Sequence, residues 1–187
     1  MVKLTVRPGT DQQIKLGAII YNSDYDFGGT ILGAGVYATK IKNETATGQY
    51  SYAPRDNPLI NLQGNVYWNQ TIATQTVKSP YVVIDGCGPG CNVDFYGPIG
   101  TVSGFTLDTV GIEVHNTSRF NIGPFRNAVT YGADFNSHTV DVTNGYDPGA
   151  PLTPNGHRNT SGGFVEWKTN YSSWFEMINA VRYDSFT

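Results

Sequence analysis

The sequence predicts an all-β chain built as a short single-stranded parallel β-helix with coils of about 20 residues and a C-terminal cap. Two observations carry that expectation. An apolar-x-Gly step recurs at Leu62-Gln63-Gly64, Ile84-Asp85-Gly86 and Val102-Ser103-Gly104, with degenerate copies at Ile122-Gly123-Pro124 and Val142-Thr143-Asn144. Its apolar positions are spaced 22, 18, 20 and 20. Between the steps lie short runs that alternate apolar with polar residues, and the first 160 residues contain no segment that keeps a helical period for three turns. A strand-and-turn unit cannot bury its apolar face alone, whereas stacked units can. A β-sandwich or jelly roll is the alternative, since short alternating strands also fit it.

Residues 1–27 form the first division, N-terminal strands or an attachment segment. Val2-Lys3-Leu4-Thr5-Val6 alternates like a strand and stops at Pro8-Gly9, and Leu16 to Tyr21 is a second apolar run. Residues 28–146 form the expected β-helix. The octets Asn57–Gly64 and Ser79–Gly86 align position by position. Farther on, Val102–Leu107 and Gly111–Asn116 read as successive strands, followed by Arg119–Ile122, Asn127–Tyr131 and Ser137–Val142. Their apolar members are expected to fill the helix lumen and their polar members to face solvent. Residues 147–187 hold a Pro/Gly-rich break and then an aromatic tail (Phe164, Trp167, Tyr171, Trp174, Phe175) suited to covering the open end of a solenoid.

Within this frame the stretch Gly28-Gly29-Thr30-Ile31-Leu32-Gly33-Ala34-Gly35-Val36-Tyr37 resembles the segment that opens many right-handed parallel β-helices of the pectate-lyase-like family, phage tailspikes among them. The resemblance implies a solenoid that displays polar side chains on its flanks. In spikes of this kind three β-helices associate about a threefold axis.

Charged residues make up only 14% of the chain, against roughly 25% in an average soluble domain, and Asn, Thr, Ser and Tyr take their place. The net charge of −3 and the lack of any Lys/Arg cluster along the sequence leave out the electrostatic footprint of a nucleic-acid binder. No apolar run approaches eighteen residues, so no membrane span is expected, and Met1–Pro8 has no signal-peptide core. Five Asn-x-Ser/Thr sequons occur in a chain rich in those residues, and glycosylation is not expected.

Candidate chemistry follows from strand-borne carboxylates. Two acids about 5–9 Å apart can act as acid and base on a glycoside, and stacked strands about 4.8 Å apart would supply that spacing. Asp85, Asp108 and Glu113 are the catalytic candidates, and His115 or His138 with Glu113 or Asp141 would make an acid/base pair. Tyr67, Trp68, Tyr96 and Tyr131 are the candidates for stacking on sugar rings. Cys87 and Cys91 bracket a tight loop that a disulfide would close for about 1–2 kcal/mol, a free thiol pair being the alternative. Two Cys and three His present no zinc-ligand spacing, so neither a metal nor another cofactor is expected.

Together these readings point to a virion structural protein: a phage tailspike, fibre or decoration subunit made in the host cytoplasm. It is expected to be homotrimeric, bound to other virion proteins, and to present a carbohydrate-binding surface for attachment to a host glycan. The rivals are a secreted polysaccharide lyase or glycoside hydrolase and a β-sandwich lectin.

Overall fold

β-Branched and aromatic residues alternating with polar ones persist here for 17 to 21 residues at a stretch in five of the strands, far longer than a solenoid coil can use. The computed structural model describes residues 1–28, 35–79, 97–143, 145 and 154–187. It contains β1 (Val2–Gly9), β2 (Gln12–Gly28), β3 (Val36–Tyr52), β4 (Leu62–Ser79), β5 (Val102–Ile122), β6 (Phe125–Thr143), β7 (Gly156–Tyr171) and β8 (Phe175–Phe186). All eight form one sheet in chain order, each antiparallel to the next.

This meander overturns the parallel β-helix. Residues one period apart would stack side by side in a solenoid. Instead Val102 lies beside Thr76 and Ile122 beside Phe125. The repeat measures strand length: Leu62 and Val102 open β4 and β5, Ile122 closes β5, and Val142 lies near the end of β6. Ile84-Asp85-Gly86 lies outside the described residues. The β-sandwich falls as well, since the described strands form one sheet with no second sheet packed on it. β2 runs from residue 12 to residue 28, and the aromatic tail lies in β7, β8 and the turn between them.

Three of the four connections at one end of the sheet are tight turns; the fourth, residues 53–61, is longer than the shortest connection at the other end. At one end they are Thr10-Asp11, residues 53–61, Gly123-Pro124 and Ser172–Trp174. At the other they run over residues 29–35, 80–101 and 144–155. Gly123 has φ +56° and precedes a proline whose ring holds φ near −65°, the sign pattern of a II′ hairpin turn. Ser172 takes the left-handed conformation (φ 54°) without being glycine. Ser172→Gly should therefore raise stability by about 0.5–1 kcal/mol, read as a shift of the urea midpoint at constant slope.

Almost nothing is buried. Among the described residues Ala73 and Val77 are the buried hydrophobics, and no large side chain is fully enclosed. The accessible surface is 12518 Å², against about 8,800 Å² for a compact monomer of this mass.

The register shows how the exposed apolar groups are arranged. On the face that carries Leu16, an apolar band holds Leu4, Leu16, Ile20, Val66, Trp68, Val110, Ile112, Val114, Phe135, Val165 and Val181, all between 37% and 75% exposed. The opposite face, which carries Tyr67, is polar at the same level, with Lys15, Gln49, Asn65, Glu113 and Asp134. Toward the long connections the faces exchange character. The Leu16 face becomes charged there, with the pairs Lys40–Asp24 (3.7 Å), Lys42–Glu44 (3.0 Å) and Lys78–Asp26 (2.9 Å). The Tyr67 face becomes apolar, with Ile19, Tyr21, Tyr25, Phe27 and Phe105 exposed beside Ile41, Leu107, Val140 and Val142.

The band also crosses the strands obliquely. The hydrogen-bonded row that begins Leu4, Leu16, Gly48, Val66, Ile112, Phe135 ends on Ser161 and Ser185. On β8 the band lies instead along Phe175, Met177, Val181 and Tyr183, closer to the short turns. The drift is about one residue per strand. With a rise of about 3.3 Å per residue and a strand spacing of about 4.8 Å, the strands lean roughly 35–40° from the normal to the band.

Candidate functional site

The side-chain contact that spans the longest sequence distance among the described residues, Tyr67 to Asn136, lies on the Tyr67 face. Tyr67, Gly111 and Asn136 occupy one cross-strand row. With no side chain at Gly111, the Tyr67 ring lies across β5 and its hydroxyl donates to Asn136 Oδ1 on β6. Gly162 plays the same part nearby. The Arg182 guanidinium lies over it and pairs with Asp134 (2.9 Å) and Asp184 (2.6 Å). His115 Nδ1 lies 3.1 Å from Glu113 Oε1, and His138 Nδ1 lies 3.1 Å from Thr109 Oγ1. Closer to the short turns, Arg119, Arg126 and Lys168 line a cleft of about 840 Å³.

The sequence-derived catalytic candidates do not converge. Asp108 and Glu113 stand an odd interval apart on β5, so their side chains leave opposite faces. Asp108 accepts a 2.9 Å hydrogen bond from Gln70 Nε2 on the Leu16 face, while Glu113 contacts His115 on the other. Asp85 lies outside the described residues, as do Cys87, Cys91 and Tyr96. The glycan candidates separate in the same way. Tyr67 and the adjacent Trp68 face opposite sides, and Tyr131 shares the Leu16 face, where its hydroxyl accepts from Asn116 Nδ2 (3.2 Å). Among the described residues no three His, Cys, Asp or Glu side chains cluster as metal ligands.

Of the residues that form contacts across strands, Tyr67, Asp108 and His138 are sequence candidates, whereas Gly111, Asn136 and Arg182 carry no signal in the sequence. Arg182 and Asp134 are 48 positions apart, and only the register brings them together. The apolar end of the Tyr67 face did leave a local signal, the alternation Tyr21-x-Ser23-x-Tyr25-x-Phe27. The geometry favours binding over catalysis: a face with paired charges and cross-strand hydrogen bonds at one level, an aromatic surface at the long-connection end, and a basic cleft at the short-turn end.

No family model matches the chain. Over 100 residues, 52% of this chain and 12% of the other, it is 29% identical to the TonB-dependent heme receptor A of Haemophilus influenzae (strain 86-028NP). Its fold is similar to that of the Serratia marcescens hemophore receptor HasR, solved as a double mutant with its hemophore HasA and heme. The TM-score is 0.74 at 18% identity, with 98% of this chain and 24% of the receptor chain covered. The chain therefore spans about an eighth of the one protein and a quarter of the other. These likenesses replace the pectate-lyase-like resemblance, and the fold they share is an antiparallel sheet. They also replace the virion reading: both proteins are receptors, and neither is a tailspike, a fibre or a lectin. The expected homotrimer of virion subunits bound to a host glycan goes with it, as does placement in a virion.

Proposed function

We propose that this chain is a membrane-spanning segment of the β-barrel of an outer-membrane receptor that takes up heme. The observation that carries the reading is the oblique apolar band. Transmembrane barrels have strands tilted about 35–45°, an outward apolar band about 25 Å tall, aromatic girdles, short turns on one side and long loops on the other. This sheet has the same tilt, the same asymmetry of connections and a girdle at its short-turn margin. There Phe125, Tyr171, Trp174 and Phe175 form a chain of ring contacts 5.1–5.9 Å between centroids. No described helix is long and apolar enough to cross a membrane, and none is needed. A search for apolar runs finds helices, whereas a spanning strand shows lipid only every second residue.

On this reading the Leu16 face meets lipid and the Tyr67 face lines the lumen. The 21 residues of β5 extend about 70 Å and rise roughly 50 Å at this tilt, about twice the apolar band. The long-loop halves of the strands thus stand clear of the bilayer. That accounts for the charged exterior around Lys40 and Lys42 and leaves Tyr21, Tyr25, Phe27 and Phe105 as a lumenal surface that suits a flat apolar ligand. Heme is the ligand that the two similar receptors suggest.

Polarised infrared spectroscopy of the full-length protein in oriented bilayers tests the reading. A strand tilt of about 35–45° is expected. Partition into the aqueous phase, or strands lying parallel to the bilayer plane, would overturn it. Titration with hemin, followed at the Soret band, tests the ligand separately.

A further inference from the structure

The Tyr67 face divides sharply by charge. Its strand-borne acids, Glu113, Asp134, Glu166, Glu176 and Asp184, all lie on the short-turn side of the row that holds Tyr67, Gly111 and Asn136. Beyond that row, toward the long connections, its strand residues include no carboxylate and a single cation, Arg158 on β7. Arg158 stands beside His138, whose Nδ1 lies 3.1 Å from Thr109 Oγ1. Val140 and Leu107, at the border of the aromatic surface, lie about 8 Å and 12 Å away by strand spacing and rise. Two residues along β7 on the same face, Gly156 puts no side chain in between, and even an added Cβ would meet open space there. The Arg158 guanidinium is exposed and meets no carboxylate among the described residues. Its Cζ lies over the Phe186 ring, 5.2 Å from the centroid. A guanidinium stacked by its flat face keeps its N–H edge free, and that edge is the fork that matches a carboxylate.

We infer that Arg158 receives a carboxylate of the molecule that lies on the aromatic surface, so that the site selects a flat apolar ligand with an acidic edge. The inference rests on the reading of this surface as a lumenal heme site and adds the group that reads the ligand's rim. Charge complementarity carries it. Tyr21, Leu107 and Val140 offer apolar area but no charge, and would hold an esterified macrocycle as well as an acidic one. Heme carries its carboxylates along one edge of an apolar ring. With the ring over Leu107 and Val140, that edge reaches Arg158 through the gap left at Gly156. The absence of competing strand-borne acids on this half of the face leaves the fork to the ligand.

The test titrates the full-length receptor with hemin and with metal-free protoporphyrin, each as the free acid and as the dimethyl ester. Hemin is followed at the Soret band and the metal-free ring by its fluorescence. The parent should bind each acid at least tenfold more tightly than its ester, the yield of one charge-assisted pair. Arg158→Gln should abolish that preference for both rings. Arg158→Lys keeps the charge and loses the fork, and should retain only part of it. Because the ratio of acid to ester is taken within each variant, a misfolded fraction cancels. The parent's full preference in either variant would overturn the inference and leave the heme site standing. So would a parent that binds hemin without any preference, or a loss in Arg158→Gln confined to hemin, which would place the contact at the metal. Failure of the parent to bind either ring would overturn the heme reading itself and this inference with it.

Discussion

Val66→Arg is expected to destabilise the protein by about 2–4 kcal/mol in a bilayer, the cost of a guanidinium on the lipid face near mid-depth. Its neighbour Asn65→Arg is expected to stay within about 0.5 kcal/mol of the parent, as a surface substitution away from any special feature does. The two residues are adjacent in sequence and differ only in face. Val66 lies in the apolar band, 51% exposed, in the row of Leu16 and Ile112. Asn65 faces the other way, opposite Glu113, where a cation finds a partner. The contrast discriminates sharply because Val66 is half exposed. On a water-soluble sheet an arginine there would extend into solvent and cost little. Reversible unfolding of the receptor in phospholipid vesicles, followed by tryptophan fluorescence, measures both variants. Equal effects would mean that the Leu16 face does not meet lipid.

Gly111→Val should cost about 1–3 kcal/mol by overpacking. A Cβ at this position would collide with the Tyr67 ring, and also with Asn136 Oδ1. The valine must therefore expel the tyrosine from its place across β5 and break a hydrogen bond that ties β4 to β6. Tyr67→Ala removes the same bridge from the other end. The double variant Gly111→Val with Tyr67→Ala should cost less than the sum of the two singles, since the collision needs both partners. Strict additivity would show that the ring does not rest on Gly111. The same double cycle separates this steric effect from the intrinsic preference of strands for valine over glycine, which acts in the opposite direction.

Much of the local structure was legible in the sequence, and the topology was not. The alternation in Val2–Val6, Val102–Leu107 and Gly111–Asn116 identifies strand residues correctly, although the last two belong to one strand. The twenty-residue period is real, but a period reports how far the chain travels before it turns and says nothing about which way it returns. Gly123-Pro124 decides that question between β5 and β6. It reads as a degenerate copy of the repeat until its positive φ marks it as a hairpin turn. The alternation also has two possible destinations for its apolar set. One is a core, yet Leu16, Val66 and Ile112 turn away from the rest of the chain. Periodicity identifies a face without saying what solvent the face meets. The contacts of Arg182 and Tyr67 depend on register across several strands, for which a single sequence carries no local signal.

The exchange of wet and dry sides partway along the strands has a mechanical consequence. A barrel with one uniform greasy exterior could bob several ångströms in its membrane at modest cost. On the barrel reading proposed here, sinking by two or three residues would drag Lys42, Glu44 and Asp108 into hydrocarbon, and rising would lift Val181 and Val165 into water. The load line is painted on both sides of the hull, so such a barrel would float at one draught. Whatever docks against the aromatic surface above that line meets it at a fixed height.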